Sequence, residues 1–385
     1  MNKSALTHSP TLQFNQLITQ KMAKGDKIIS LGLGEPGFPT PIEIIGATNR
    51  AMLDGFTRYS HSLGLPDLRR GIQKKFLEEN GIEVDINNIA VTFGAKQALL
   101  VALQAILNPQ DEVINITPCY VSYIPQIRMA EPDCVIKNID LLNDRFSLDF
   151  TALKQHVNSK TKAIILNSPH NPTGHMFTER ELIQFVEIVD SFKDCYIISD
   201  EVYEYLNFSG KKHLSIGSLE SLKERVITIN SFSKSFAMTG WRIGYMAMPG
   251  SVSQNVYKIL QHTNTNVTTF VQKGAIKALE IDREFIVNYN HHLLKSATYI
   301  FDELKDTVIN LCMPDGGLFF FLDISQTGLK SDEFTVKLLD RYNVATNAGI
   351  TFGDTWDNFI RVSIAGDFGD IREGIEKMKI FIEKG

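Results

Sequence analysis

Through the middle of the chain, short apolar and β-branched runs alternate with segments of helical period. The runs are IAVTF from Ile89, EVINI from Glu112, DCVIKNI from Asp133, KAIILN from Lys162, CYIISD from Cys195, RVITIN from Arg225 and GYMAM from Gly244. Helix-period segments before, between and just after them include PIEIIGATNRAML, LPDLRRGIQKKFLEENG, KQALLVALQAIL, ERELIQFVEIVDSF and SVSQNVYKILQHT. A strand apolar on both faces needs cover on both faces, and intervening helices supply it. This alternation predicts an α/β fold, a mostly parallel sheet covered by helices.

From about Ile276 the texture changes. A long helical stretch, REFIVNYNHHLLKSATYIFDELKD, leads into GGLFFFLDI, a polar helix, FIRVSIA and the amphipathic end DIREGIEKMKIFIEK. That pattern predicts a smaller α+β domain, with the first forty or so residues packing on it. At 385 residues the chain suits two units. The expected division is a large domain over 45–275 and a small one from 1–44 and 276–385.

Sequence balance excludes several classes of function. A net charge of −5 leaves no basic footprint for nucleic acid or anionic membrane. No window reaches the apolar length of a membrane span. The N-terminus lacks an apolar signal core. The four cysteines, Cys119, Cys134, Cys195 and Cys312, show no C-x-x-C spacing, so no metal site is expected. A reducing, cytoplasmic setting is the expectation.

In open parallel sheets ligands bind outside the carboxyl ends of the strands. Polar groups follow four of the runs. Gly94-Ala95-Lys96-Gln97 opens a helix after the first. Ser168 to Gly174, SPHNPTG, follows KAIILN. Asp200-Glu201-Val202-Tyr203 ends CYIISD, and Ser231-Phe232-Ser233-Lys234 follows RVITIN. A helix start offers N–H groups to a phosphate. Ser231 and Ser233 add hydroxyls, and Arg242 adds a planar fork. Lys234 can form an imine with a carbonyl compound. Asp200 can keep a pyridine nitrogen protonated. Taken singly, each is a turn, a helix start or a surface residue. Together they describe a site for pyridoxal 5′-phosphate.

The stretches SFSKSFAMTGWRIGY, NSPHNPTG, SDEVYEYL and GAKQAL resemble the motif set of the class I/II aminotransferases, which share fold type I of the pyridoxal-phosphate enzymes. The likeness runs from LGLGEPGFPTP to FIRVSIA. GEPGFPTP, YSHSLGLPDLR, GAKQAL and PCYVSY are most similar to a subgroup of bacterial aspartate aminotransferases with Lys in the phosphate loop. The resemblance implies that Lys234 carries the cofactor and shuttles the substrate proton. It implies that Asp200 partners the ring nitrogen, Tyr203 and Asn171 the phenolic oxygen, and Tyr120 the ring face. By the same resemblance Gly94, Ala95, Lys96, Ser231, Ser233 and Arg242 would form the phosphate loop and its ligands. Tyr59 would reach the phosphate of a neighbouring subunit, which implies a homodimer with shared active sites. Arg361, with the Gly34 backbone, would clamp the substrate α-carboxylate. An arginine inside the apolar strand FIRVSIA needs an anionic partner on physical grounds as well. The implied reaction is ping-pong transfer of an amino group from an L-amino acid to a 2-keto acid such as 2-oxoglutarate.

Four departures from the family pattern bear on substrate choice. Ala348-Gly349 stands where relatives read Pro-Gly. GGLFFF, Gly316 to Phe321, stands where they often read Gly-Ala-Phe-Tyr, so a tyrosine expected near the pocket is absent. EPGF replaces Glu-Pro-Asp-Phe, and His170 lies inside SPHNPTG. These leave open an aromatic or aliphatic amino donor. They also leave open a β-lyase, oxidase or cyclising reaction on the same cofactor. A ligand-sensing module is the third reading, opposed by the intact Lys234 and Arg361. Lys96 either meets a distal carboxylate of the substrate or only borders the phosphate.

Overall fold

A computed structural model describes residues 10–23 and 25–384. Strand β1 (Ile29–Ser30) precedes the seven strands of the main sheet. These are β2 (Ile89–Thr92), β3 (Glu112–Thr117), β4 (Val135–Asp140), β5 (Thr161–Asn167), β6 (Tyr196–Asp200), β7 (Val226–Ser231) and β8 (Gly244–Ala247). Their spatial order is β2-β8-β7-β6-β5-β3-β4. All pairings are parallel except those of β8, which runs antiparallel to β2 and β7. The seven apolar runs therefore become seven strands. Central strands β5, β7 and β8 are buried along most of their length, as both-face apolarity requires, and so is edge strand β2. DCVIKNI differs: β4 lies at the sheet edge, and Val135 is 41% exposed.

Helices cover both faces. Ala95–Ile106 and Gly250–Thr263 seal one side through Leu99, Leu103, Val256 and Leu260, packed on Ile227, Ile229 and Met246 of the sheet. Phe185 of Glu179–Val189 packs on the other side, with Ile164 and Ile197. Among the helices that escaped the sequence reading are Tyr123–Ala130, Phe150–His156 and Thr269–Glu280. The first two are too short for a clear period. The third, TFVQKGAIKALE, has a Gly inside it, where Gly274 lies against the Ile42–Leu53 helix.

The remaining strands, β9 (Phe319–Asp323), β10 (Val344–Ala345), β11 (Asn347–Ala348) and β12 (Phe359–Ser363), lie in the C-terminal part. They form an antiparallel sheet β11-β12-β9, and β10 pairs in parallel with β1. This pairing ties the N-terminal segment to the C-terminal part. The expected boundaries at 44/45 and 275/276 fall inside Ile42–Leu53 and Thr269–Glu280, which pack against each other. Among the described residues no helix is long and apolar enough to cross a membrane.

Candidate active site

The parallel register sets the first half of the site. Asn167, Asp200 and Ile229 stand side by side across β5, β6 and β7, so β5 and β6 end at the same level and β7 runs two residues further, to Ser231. A cavity of about 620 Å³ opens beyond those ends. It is lined by Gly34, Ala95, Lys96, Tyr120, Asn171, Asp200, Tyr203, Ser231, Ser233, Lys234, Arg242 and Arg361 among others. Twelve of the fourteen residues singled out from the sequence thus reach one cavity. Gly94 is not among the lining residues but shapes them. It precedes the Ala95–Ile106 helix at φ 76°, and a β-carbon there would lie 2.6 Å from Arg242 Nη2. Tyr59 lies outside its own chain's cavity, 88% exposed.

One corner is built for an anion. Ser231 ends β7 and caps the short helix Phe232–Ser235: its Oγ accepts from Ser233 N at 3.0 Å. The Ser231 hydroxyl donates to Ser233 Oγ at 2.9 Å. The Arg242 backbone is left-handed, at φ 56°, and its Nη1 donates to the Thr239 carbonyl at 2.8 Å. The start of the Ala95–Ile106 helix completes the corner.

The Lys234 amine sits deep in the cavity and donates to the Gly34 carbonyl at 2.6 Å. Burial lowers its pKa to about 8, helped by the Arg361 and Arg242 charges and opposed by Glu35. Burial pushes Asp200 up to about 6. Two donors work against that rise: Tyr123 Oη at 2.7 Å and the Val202 N–H at 3.4 Å. Asp200 makes no ion pair with any described residue. Tyr203 is buried, and burial drives its phenol upward.

Across the cavity Arg361 of β12 is 6% exposed. Its Nη1 donates to Asn171 Oδ1 at 3.0 Å. Nη2 donates to Gly32 O at 3.1 Å and to Asn347 Oδ1 at 2.9 Å. The guanidinium lies 3.8 Å from the Phe319 ring centre and 4.8 Å from that of Phe352. Every one of these acceptors is neutral. Burial lowers the pKa to about 10, and the charge has no carboxylate beside it among the described residues.

Residues missed by sequence reasoning support this set. Tyr123 binds Asp200, and burial next to that carboxylate drives its phenol well upward. The only signal was the second tyrosine of PCYVSY. Asn167 ties two strand ends, donating to Asp200 O at 2.8 Å and accepting from Asn171 N at 2.7 Å. Asn347 lay within the departing segment NVATNAG without any signal of its own.

The departures resolve unequally. Of the three phenylalanines in GGLFFF only Phe319 lines the cavity; Phe320 faces the core, paired across from Val362. A tyrosine in the Phe320 place would therefore point away from the cavity, because side chains alternate along a strand. Ala348 is also absent from the lining, and adjoining Asn347 supplies the contact to Arg361. Gly37 of EPGF is required by close approach: a β-carbon there would lie 2.2 Å from the Ala365 carbonyl oxygen. His170 is a core histidine, with Nδ1 2.8 Å from Thr173 Oγ1 and a pKa pushed down to about 3 by burial.

Comparison with known proteins extends the likeness along the chain. A family model described as aminotransferase class I and II matches residues 26–378. An aspartate aminotransferase of Bacillus subtilis (strain 168) is 38% identical, over 99% of this chain and 98% of that one. An aromatic-amino-acid aminotransferase 2 of Thermococcus litoralis is 34% identical, over 94% of each. The solved aspartate aminotransferase of Thermus thermophilus with maleate superposes at a TM-score of 0.93. It is 31% identical, covering 98% of this chain and 97% of that one.

Proposed function

The chain belongs to the class I and II aminotransferases, dependent on pyridoxal phosphate, and from that premise we propose aspartate or a similar dicarboxylic amino acid as its donor. The acceptor in this reading is a 2-keto acid such as 2-oxoglutarate. One observation carries the choice of donor. Four cationic side chains line the cavity; Lys234 and Arg242 serve the cofactor, and the other two, Arg361 and Lys96, pair with no carboxylate among the described residues. A dicarboxylate supplies one anion for each.

The lining fits the cofactor. A buried carboxyl without a cationic partner, Asp200, suits a protonated ring nitrogen. Ser231, Ser233, Arg242 and the helix start at Ala95 and Lys96 would hold the phosphate. Tyr203 and Asn171 would meet the phenolic oxygen, Tyr120 would lie along the ring, and Lys234 would anchor the group covalently. When bound, the cofactor supplies a sink for the electron pair left on the substrate α-carbon. Arg361 holds the α-carboxylate through its two-nitrogen fork and so sets the orientation of the α-hydrogen. Lys234, its amine made less basic by burial, accepts that proton near neutral pH and returns it. Phe319 and Phe352 keep water from the guanidinium face.

A panel of amino donors against 2-oxoglutarate, read by half-reaction spectra, tests the reading. Aspartate and glutamate are expected to convert the cofactor fastest. An aromatic donor outrunning both would sink it, and pyruvate with ammonia would point to β-elimination instead.

The same proposal includes a cytoplasmic homodimer and two domains, the main sheet with its helices and a smaller C-terminal unit. Tyr59 stands exposed, with Ile42 (73%) and Leu53 (83%) also exposed on a neighbouring helix. In this reading Tyr59 completes the phosphate corner of a second copy. Mixing Tyr59→Phe with Lys234→Ala chains tests it: shared sites give hybrids with one intact site, and activity above that of either variant.

A further inference from the structure

The segment Asp200 to Glu204 divides its side chains between two places. Asp200 and Tyr203 line the cavity, whereas Glu201 is 0% exposed and Glu204 7%. The two glutamates enter a polar cluster behind the site that no step above uses. Glu201 accepts from Ser199 Oγ at 2.8 Å and Ser215 Oγ at 2.6 Å. Its Oε2 lies 3.2 Å from His213 Nε2. Glu204 is bound by the Lys75 ammonium and by Asn80 Nδ2 at 2.8 Å. Asn80 also reaches Ser215 Oγ at 2.7 Å, which joins the two halves. A further layer holds Tyr205, Glu79 and Arg283, with Arg283 2.7 Å from Glu79.

Counting charges in this cluster gives two buried carboxylates and two basic groups. Lys75 serves Glu204, so only His213 is left to neutralise Glu201. Glu201, Glu204 and His213 have the spacing of metal ligands, within 4.8 Å of one another, but the Lys75 ammonium already occupies Glu204. A fully buried carboxylate without a cation is costly, and its field acts on neighbouring acids. The neighbour here is Asp200, one residue away. The charged or titratable groups bearing on Asp200 are Tyr123, Glu201 and Lys234; Glu201 favours its protonated form. Those bearing on His213 are Glu201, Glu204 and Lys75; the two glutamates favour the imidazolium, and burial and Lys75 oppose it.

We propose that His213 is a positioning residue for charge: its imidazolium, bonded to Glu201, offsets that buried carboxylate, so that Asp200 stays ionised for the ring nitrogen of the cofactor. The proposal rests on the assignment of Asp200 to that nitrogen. The chain of contacts is His213 to Glu201 through a hydrogen bond, and Glu201 to Asp200 through the field across one residue.

The test uses the full chain, freed of cofactor, and two probes. Pyridoxal phosphate, followed by its visible band and by equilibrium dialysis, engages both Asp200 and the phosphate corner. Inorganic phosphate, followed by dialysis, engages the corner alone. His213→Gln is expected to weaken pyridoxal phosphate about tenfold and leave phosphate unchanged. Glu201→Gln/His213→Gln, which removes the uncompensated charge, is expected to recover to within about threefold of the parent. Equal affinity of His213→Gln and parent for pyridoxal phosphate would overturn the proposal. So would loss of both probes together, or a double variant no better than the single. If His213→Gln does not fold, Glu201→Gln alone decides: affinity equal to the parent or higher supports the proposal, and a tenfold loss overturns it. A parent chain that fails to bind pyridoxal phosphate would instead sink the cofactor assignment itself.

Discussion

The two sides of the cavity are built on different principles. Asp200, Tyr203, Ser231, Ser233 and Lys234 come from the ends of two adjacent parallel strands, whose backbone register puts Asp200 level with Ile229. Arg361 comes from a separate antiparallel sheet. It is held by Gly32, 329 positions away, and by Asn171, 190 positions away. Side chains on neighbouring strands share one rigid lattice, whereas the guanidinium clamp forms only when remote segments meet. In the proposed reading the first side holds a resident group and the second a carboxylate that comes and goes. Loss of a group on the first side should therefore show in the cofactor, and loss on the second in substrate kinetics.

Lys234→Ala gives the largest expected effect. Turnover should fall on the order of 10⁴-fold, with loss of the visible absorption band. A variant keeping full activity would remove the lysine from the centre of the first side. Arg361→Leu should reduce kcat/KM for the amino acid about 100-fold and leave the cofactor spectrum unchanged. Arg361→Lys should fall between, because an ammonium is a point charge without the fork. A changed spectrum in either arginine variant would break the division between the sides.

The pH dependence of reconstitution probes the first side more finely. Burial lowers the Lys234 amine to about 8, so the free base grows as pH rises through that value. The rate at which the cofactor-free chain takes up pyridoxal phosphate should climb up to about tenfold between pH 7 and 9. A rise centred near 10.5, the ordinary lysine value, would contradict the burial argument. Tyr123→Phe gives the smallest effect. Its hydroxyl holds Asp200 down against burial, so removing it raises Asp200 above about 6. Acidification should then release the cofactor at a higher pH than in the parent, with a loss of a few-fold at pH 6. An unchanged release profile would reduce Tyr123 to packing.

The first side was the more legible one, for a physical reason. A parallel sheet places every carboxyl end at one edge, so polar residues after apolar runs converge without any knowledge of long-range contacts. Arg361 was legible only as a charge that needed a partner. Its neutral holders, Asn347 and Gly32, carry no local signature, and neither does the stacking of Phe319 and Phe352 on it. Tyr123 escaped because Tyr120 and Tyr123 look alike in sequence, while only Tyr123 Oη meets Asp200. The three adjacent phenylalanines were likewise indistinguishable until strand pleating sent Phe319 to the cavity and Phe320 to the core.

By itself the sequence determined the α/β class, the order of strands along the chain and the cofactor chemistry. Periodicity and strand-end residues are local properties, and local properties survive in one dimension. Only the tertiary structure decided which residues share a neighbourhood across long separations. It set β4 at the sheet edge, drew Arg361 up to Asn171, and put His213 beside Glu201 behind Asp200. Those contacts depend on how sheets and loops close in space, and closure leaves no periodic mark on the chain.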